Sequence, residues 1–153
     1  MKEDRFLTII LVVIALLVVA SLAVFFLKQD NAVYLPEDAP ENIVHNYILA
    51  VEEGNYERAY TYLAEKENKP NYEAFKEYYL LYHNEAGYQV GATNIASDTA
   101  SVEITILEGS SNFFFDRYNN YVENARLLKQ DGKWKIIQMP YSYWSWEWYQ
   151  EKE

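Results

Sequence analysis

The pattern of hydrophobic positions begins with a long apolar segment near the N-terminus. Residues 6–27 are apolar except for Thr8 and Ser21. As a helix rising about 1.5 Å per residue, this segment would cover roughly 33 Å, close to the roughly 30 Å of a bilayer core. A domain of this size rarely buries a helix that is apolar on every face, so the pattern predicts a transmembrane helix.

A cleaved signal peptide is the alternative interpretation of this segment. Ser21 and Ala23 put small residues at the two positions that signal peptidase reads. The apolar run continues through residues 24–27, so cleavage would leave an apolar stub. We therefore expect an uncleaved signal anchor at residues 6–27 that contacts membrane lipid.

The charges around this helix predict its orientation. Lys2, Arg5 and the amino terminus precede it, whereas Lys28 alone follows it closely. Basic residues favour the cytoplasmic side of a membrane. We therefore expect residues 1–5 in the cytoplasm of a single-pass protein of the cell membrane, and the rest of the chain outside it.

Three helical stripes follow a polar stretch at residues 28–39, which we interpret as a tether. Pro40 suits the first position of a helix, and apolar residues recur at helical spacing up to Gly54. Asn55 and Asn71 can each cap a further helix, because an Asn side chain accepts a hydrogen bond from a free backbone N–H group. The pattern thus predicts three short helices.

Alternating positions replace the helical period after Gly87. Residues 101–106 alternate between polar and apolar, and residues 88–95 form a weaker strand that would pair with them. Residues 108–120 fit either a long connecting loop or the outer part of a bent strand. The alternation predicts one hairpin.

A second hairpin is indicated by Asp131-Gly132, because both residues tolerate the positive φ of a tight turn. Its strands would be residues 121–130 and 133–139. Helices followed by an antiparallel meander predict an α+β domain, a cone of about three helices packed on one face of a curved antiparallel sheet. This domain would occupy residues 40–139, and an aromatic tail would occupy residues 140–153.

Composition and charge narrow the possible chemistry. The chain of 153 residues has no cysteine and two histidines, which excludes disulfides, thiolate zinc sites and a His-rich metal centre. We expect no metal and no cofactor. The formal charge of −10 leaves no excess of cations to neutralise phosphates, so we expect no nucleic-acid partner.

Two segments resemble a known family. Gly54-Asn55 between two helices, followed by Ala59-Tyr60, is similar to the opening of nuclear-transport-factor-2-like (cystatin-like cone) domains. Residues 131–136, with the sequence Asp-Gly-Lys-Trp-Lys-Ile, look like the last hairpin of that family. The resemblance spans residues 40–139 and is closest to a bacterial membrane-anchored branch of unknown function.

This resemblance implies a bent sheet wrapped on a helix, often with a pocket. The family hosts isomerases, dehydratases and non-catalytic binding or assembly modules, and homodimers are frequent in it. The fold alone therefore does not select a function.

Enzymes of this family place an Asp, His or Tyr inside the pocket, but no residue here matches such a motif. His45 and His83 lie on predicted helices without a visible catalytic partner. Asp116 and Glu103 are possible pocket carboxylates, although Glu103 could instead face Arg126 across strands. We assign no catalytic residue.

Six aromatic residues fall where the helices would face the sheet. They could line a cavity for a small apolar ligand, or they could fill the core. Core filling is favoured, because buried tyrosine hydroxyls usually find partners. The predicted ligand-binding residues are Tyr47, Tyr60, Tyr78, Tyr79, Tyr82 and Trp134.

The aromatic tail has two interpretations. In an extended chain Trp144, Trp146 and Trp148 would point to one side, as in an edge strand that closes the core. Alternatively the tail binds a partner, and its acidic residues favour a membrane protein over anionic lipid. The predicted partner-binding residues are Tyr141, Tyr143, Trp144, Trp146, Trp148 and Tyr149.

The sequence thus favours a non-catalytic, membrane-anchored extracytoplasmic module that binds a protein partner or a small apolar ligand. The alternative is a cone-fold isomerase, dehydratase or hydrolase acting on a small apolar substrate. That alternative predicts an open pocket with a carboxylate or His of strongly shifted pKa. A third hypothesis, that the transmembrane helix itself docks into a membrane complex, is weakened by its lack of glycine.

Overall fold

The computed structural model describes the backbone of residues 3–27, 33–82, 86–110 and 117–150, and the side chains of residues 7–22, 33–82, 86–107 and 120–150. The chain divides into two compact units, Met1–Val33 and Tyr34–Glu153. The first unit contains helix α1, Glu3–Leu27, whose described side chains are exposed. Over the described residues, no helix combines the length and the apolar character needed to cross a membrane.

The second unit begins with the three predicted helices, α2 (Pro40–Glu52), α3 (Tyr56–Thr61) and α4 (Tyr72–Tyr82). Both predicted caps are present. The Asn55 side chain accepts the Arg58 N–H at 3.2 Å, and the Asn71 side chain accepts the Ala74 N–H at 2.9 Å. These bonds satisfy backbone donors that a helix start otherwise leaves unpaired.

Four strands form one antiparallel sheet in the order β1-β2-β3-β4. Their bounds are Gly87–Ala96, Thr99–Ser110, Arg117–Gln130 and Lys133–Gln138. Asp131 and Gly132 have φ of 50° and 78°, which confirms the predicted second hairpin turn. The unit is therefore an α+β domain with helices before an antiparallel meander, as the sequence predicts.

The segment between the two hairpins mostly continues the strands. Ser110 of β2 pairs with Arg117 of β3, so the ends of residues 108–120 belong to the sheet, as the bent-strand alternative expected. Residues 111–116, including the candidate carboxylate Asp116, lie outside the described residues, as does His83.

The core lies between the helices and one face of the sheet. Val102, Ile104 and Ile106 alternate inward along β2 and are fully buried, and Ile136 of β4 is buried beside them. Leu63, just after α3, forms a parallel bridge with Ile136. Helix α2 contacts β1, β2 and β4, so its apolar stripe is the main cover of the sheet.

Residues 34–39, in the second half of the predicted tether, are fixed to the second unit. The buried Asn46 side chain accepts the Leu35 N–H at 2.7 Å and donates to the Leu35 carbonyl at 2.8 Å. The guanidinium of Arg58 lies 3.3 Å from the centre of the Tyr34 ring. The compact unit accordingly starts at Tyr34.

The aromatic tail is not an edge strand, so that interpretation was wrong. Tyr141–Tyr143 form a 3-10 helix after Pro140, and the following residues turn instead of extending. Trp144 and Trp148 are buried at 5% and 8% exposure, whereas Trp146 is 69% exposed. The turn brings Trp144 and Trp148 together and directs Trp146 to solvent, so the three rings do not share one side.

Candidate functional site

The predicted tyrosine cavity is filled. The hydroxyls of Tyr47 and Tyr79 are 2.5 Å apart, and both lie within hydrogen-bond distance of the Tyr143 carbonyl, at 3.3 and 2.6 Å. Burial is the main reason that the pKa of each phenol is raised well above its ordinary value. Both tyrosines are therefore neutral hydrogen-bonding members of the core.

The other predicted ligand-binding residues are dispersed. Tyr60 donates to the Pro70 carbonyl at 2.8 Å, and Tyr78 donates to the Trp144 carbonyl at 2.9 Å. Trp134 is 6% exposed on β4, and Tyr82 is 67% exposed at the end of α4. The structure thus packs Tyr47, Tyr78 and Tyr79 against the tail. The Tyr82 ring lies 5.7 Å from that of Tyr78 but faces solvent.

A pocket of about 290 Å³ lies at the tail, and we call it the tail pocket. Its walls come from one residue of β3, from the end of β4 and from the tail. The lining residues are Glu123, Ile137, Gln138, Met139, Tyr141, Trp144, Trp146, Trp148, Tyr149 and Gln150. Five of the six predicted partner-binding residues are therefore in one pocket.

Tyr143, the sixth predicted partner-binding residue, is fully buried. Its hydroxyl donates to the Ala86 carbonyl at 2.6 Å and lies 3.2 Å from Glu52 Oε1. Burial and the nearby Glu52 carboxylate raise the pKa of this phenol. Tyr143 anchors the tail and is not on a surface that a partner can reach.

Hydrogen bonds hold the start of the tail against β3. The Glu123 carboxylate accepts the Tyr141 N–H at 3.2 Å, and the hydroxyls of Tyr121 and Ser142 are 2.9 Å apart. Further along, the Tyr149 hydroxyl donates to the Ala64 carbonyl at 2.6 Å. The tail is thus fixed to the domain at both ends of the pocket.

Stacked rings form the inner wall of the tail pocket. Trp144 and Tyr149 are nearly parallel, with ring centres 5.6 Å apart, and Trp148 meets Trp144 edge-on at 4.9 Å. Trp148 also stacks on Phe75 of α4 at 5.2 Å. Because these rings are held in the core, the wall is preformed. Tyr141 and Trp146, in contrast, are 71% and 69% exposed.

The described lining of the tail pocket carries negative charge alone. Among the described residues that line the pocket, Glu123 is the one carboxylate, and none is Lys, Arg or His. The remaining polar side-chain groups are the amides of Gln138 and Gln150, the hydroxyls of Tyr141 and Tyr149, and the indole N–H groups of the three tryptophans. The described lining therefore offers aromatic faces, neutral oxygens and N–H groups, and a single negative charge.

The sequence did not single out Glu123, although a signal for it was present. Ala125 and Leu127 are buried on the core side of β3, and Glu123 continues their alternation. A carboxylate on the apolar side of a strand is unusual enough to mark a site. Gln138 and Gln150 carry no such signal, because polar residues at a strand end and in a tail are ordinary.

The described catalytic candidates, His45 and Glu103, do not line the tail pocket. His45 Nδ1 lies 3.1 Å from the hydroxyl of Tyr88, between α2 and β1. Glu103 is directly opposite Asn124, and Arg126 is opposite Ser101, so Arg126 is a diagonal neighbour of Glu103, two residues along β3 from its direct partner. Among the described residues, no group of three or more His, Asp or Glu side chains is placed to hold a metal ion.

Known structures resemble the fold. A SEC-C motif-containing protein from Psychrobacter arcticus is 14% identical, with a TM-score of 0.51 over 72% of this chain and 64% of its own. Another, from Rhodopseudomonas palustris, is 10% identical, with a TM-score of 0.50 over 67% of this chain and 77% of its own. An NTF-2 like protein of unknown function from Shewanella oneidensis is 13% identical, with a TM-score of 0.44 over 61% of this chain and 88% of its own.

At these identities the similarity concerns the fold alone. No family model matches the chain. No curated protein gives a significant match to it. The function must therefore be argued from the residues of the site.

Proposed function

We propose that this chain is a non-catalytic binding module of the nuclear-transport-factor-2-like type, with the tail pocket as its binding site. The observation that carries this proposal is that two exposed side chains line the same pocket as a preformed wall of buried rings. These side chains are Tyr141 and Trp146, both about 70% exposed. Exposed Trp and Tyr beside a rigid apolar wall are typical of interface hot spots. A protein partner is the ligand we favour.

The packing of the cone supports binding over catalysis. An enzyme of the cone type needs a cavity in which a catalytic group meets its substrate. Here Tyr47 and Tyr79, at the place predicted for a cavity, are completely buried and bonded to each other. The tail pocket lies at the periphery, where a segment of another protein can enter it.

Membrane anchoring is the second part of the proposal. Its support is the sequence of residues 6–27, which is apolar over the length of a bilayer core, together with Lys2 and Arg5 before it. In this proposal the domain faces the outside of the cell membrane, and its partner is a membrane protein. The small-ligand alternative keeps the same pocket and the same anchor.

Cysteine labelling tests the proposed topology, because the chain has no native cysteine. Asp98→Cys lies in the exposed turn between β1 and β2, and Lys2→Cys precedes the anchor. In intact cells a membrane-impermeant maleimide should label Asp98→Cys and should spare Lys2→Cys until the cells are lysed. Labelling of both variants, or of Lys2→Cys alone, would contradict the proposed orientation.

Native mass spectrometry tests the binding site. The full chain, extracted from its own membranes in mild detergent, should carry a second protein at fixed stoichiometry. The double variant Tyr141→Ala/Trp146→Ala should lose that protein, while Ile95→Ala, which removes a 54% exposed side chain on β1, should retain it. Equal recovery by both variants would show that the tail pocket is not the binding site. A small added mass instead of a protein would favour the small-ligand alternative.

A further inference from the structure

We infer that the tail pocket receives the guanidinium group of an arginine side chain presented by the protein partner. This inference rests on the proposed function and specifies the chemistry of the partner. Three observations support it: the charge of the lining, the aromatic faces, and an arginine site of the same composition elsewhere in this chain.

The charge of the pocket selects a cation. Within the part of the lining that the structure describes, Glu123 carries one negative charge and no basic side chain neutralises it. The whole chain carries a formal charge of −10. An anionic group entering this pocket would meet Glu123 with no basic lining side chain to offset the repulsion. A cationic group is attracted both by the carboxylate and by the long-range field of the protein.

The aromatic faces select a weakly hydrated, planar cation. Tyr141 and Trp146 are about 70% exposed, so their ring faces are accessible at the rim of the pocket. Guanidinium stacks on aromatic rings and loses its hydration shell more readily than an ammonium group does. The same planar group can donate to Glu123 and to the amide oxygens of Gln138 and Gln150, because it has five N–H donors.

The chain already holds one of its own arginines in this way. The Arg58 guanidinium lies 3.3 Å from the centre of the Tyr34 ring and 3.8 Å from a Glu37 oxygen, and it donates to the Tyr62 hydroxyl at 3.0 Å. The tail pocket presents the same three kinds of group: ring faces, one carboxylate and neutral oxygens. In the Arg58 site the cation comes from within the chain, whereas in the tail pocket it has to come from a partner.

Small arginine derivatives test this inference directly. The probes are Nα-acetylarginine N-methylamide, its citrulline counterpart, in which an uncharged urea replaces guanidinium, and its lysine counterpart. Each is titrated into the full chain in detergent micelles and followed by tryptophan fluorescence and ligand-observed saturation-transfer NMR. Three of the four tryptophans line the pocket, so occupancy should change the emission.

We expect the arginine probe to bind about tenfold or more tightly than the citrulline probe, because guanidinium forms an ion pair with the Glu123 carboxylate and the uncharged urea does not. The lysine probe should bind more weakly than the arginine probe. Glu123→Gln should reduce the affinity for arginine about tenfold while keeping the shape of the side chain. Glu147→Gln removes the same charge from an exposed tail residue outside the pocket lining, and it should leave the affinity unchanged.

Three results would overturn the inference. They are equal binding of the arginine and citrulline probes, tighter binding of the lysine probe, and equal losses in Glu123→Gln and Glu147→Gln. Far-UV circular dichroism of both variants establishes that they remain folded.

Partner recovery separates this inference from the proposed function. If Tyr141→Ala/Trp146→Ala loses the co-purifying protein and Glu123→Gln retains it, the tail pocket binds the partner without an arginine. If all three substitutions leave recovery unchanged, the pocket is not the binding site, and both proposals fail.

Discussion

Tyr143 shows how one side chain joins distant parts of this domain. Its hydroxyl donates to the Ala86 carbonyl just before β1 and lies 3.2 Å from the Glu52 carboxylate at the end of α2. Its own carbonyl accepts a hydrogen bond from Tyr79 of α4 at 2.6 Å and lies 3.3 Å from the Tyr47 hydroxyl of α2. The sequence predicts a partner-binding role for Tyr143 because this residue belongs to the aromatic tail. In the structure, Tyr143 instead anchors the tail to the domain.

Tyr143→Phe should therefore destabilise the domain. The substitution removes the phenol oxygen and leaves the Ala86 carbonyl without this donor, which should cost about 1–3 kcal/mol of unfolding free energy. Tyr141→Phe is the matched control, because Tyr141 is 71% exposed and its change should be within about 0.5 kcal/mol. Urea unfolding of the full chain in detergent measures both. A loss for Tyr143→Phe no larger than the control would contradict the anchoring role.

At the scale of elements, the tail differs most from its predicted structure. Alternating tryptophans are typical of a half-buried strand, yet a 3-10 helix and a turn replace the strand. The Trp148 N–H donates to the Ser145 carbonyl at 3.1 Å, and this turn directs Trp146 away from Trp144 and Trp148. The alternation of residues in the tail was therefore insufficient to predict its structure, because Trp148 is buried by contacts with Phe75 and Tyr78 on α4.

Trp148→Ala and Trp146→Ala should have opposite consequences. Trp148 is 8% exposed, so its truncation should leave a cavity beside Phe75 and cost about 3–5 kcal/mol. Trp146 is 69% exposed, so its truncation should change the stability by less than about 1 kcal/mol while impairing partner recovery. Thermal unfolding followed by near-UV circular dichroism compares them. Similar stability of the two variants would show that Trp148 does not belong to the core.

The predicted helices and hairpins are otherwise those of the structure. The caps at Asn55 and Asn71 and the turn at Asp131 and Gly132 act within a few residues of themselves. Such signals are readable from the sequence, because hydrogen bonds between near neighbours and the steric limits on φ do not depend on the rest of the fold. The exact pairing of Glu103 with Asn124 was not readable, because it depends on how two strands align along their whole length.

At the scale of the whole domain, buried phenols are the dominant titratable feature. Burial is the main cause that raises the pKa of Tyr34 and of Tyr88 to about 12, and a carboxylate contributes in each case, Glu53 for Tyr34 and Glu52 for Tyr88. The pKa values of Tyr47, Tyr79, Tyr143 and Tyr149 are raised for the same main reason. The fold therefore favours the neutral form of many tyrosines at once.

The domain should unfold cooperatively in alkali. A tyrosine whose pKa is raised on folding contributes stability that is complete below its unfolded value of 10.0 and is lost as the pH rises through the folded value of about 12. Urea unfolding should show constant stability up to about pH 9 and a steep loss above about pH 10. Absorbance near 295 nm should show that the buried tyrosines ionise together with loss of the far-UV signal. Ionisation of nearly all tyrosines near pH 10 with the native signal intact would contradict this prediction.

The sequence by itself determined the local elements and the class of the fold. Helix caps, the Asp-Gly turn and the change of hydrophobic period specify three helices and an antiparallel meander, because these signals act over a few residues. The tertiary structure decided which aromatic residues are buried and where the pocket lies. Trp148 meets Phe75, and Glu123 meets the backbone of Tyr141, only after the chain has folded. Burial depends on packing between elements distant in sequence, so no local pattern can separate the buried Trp148 from the exposed Trp146.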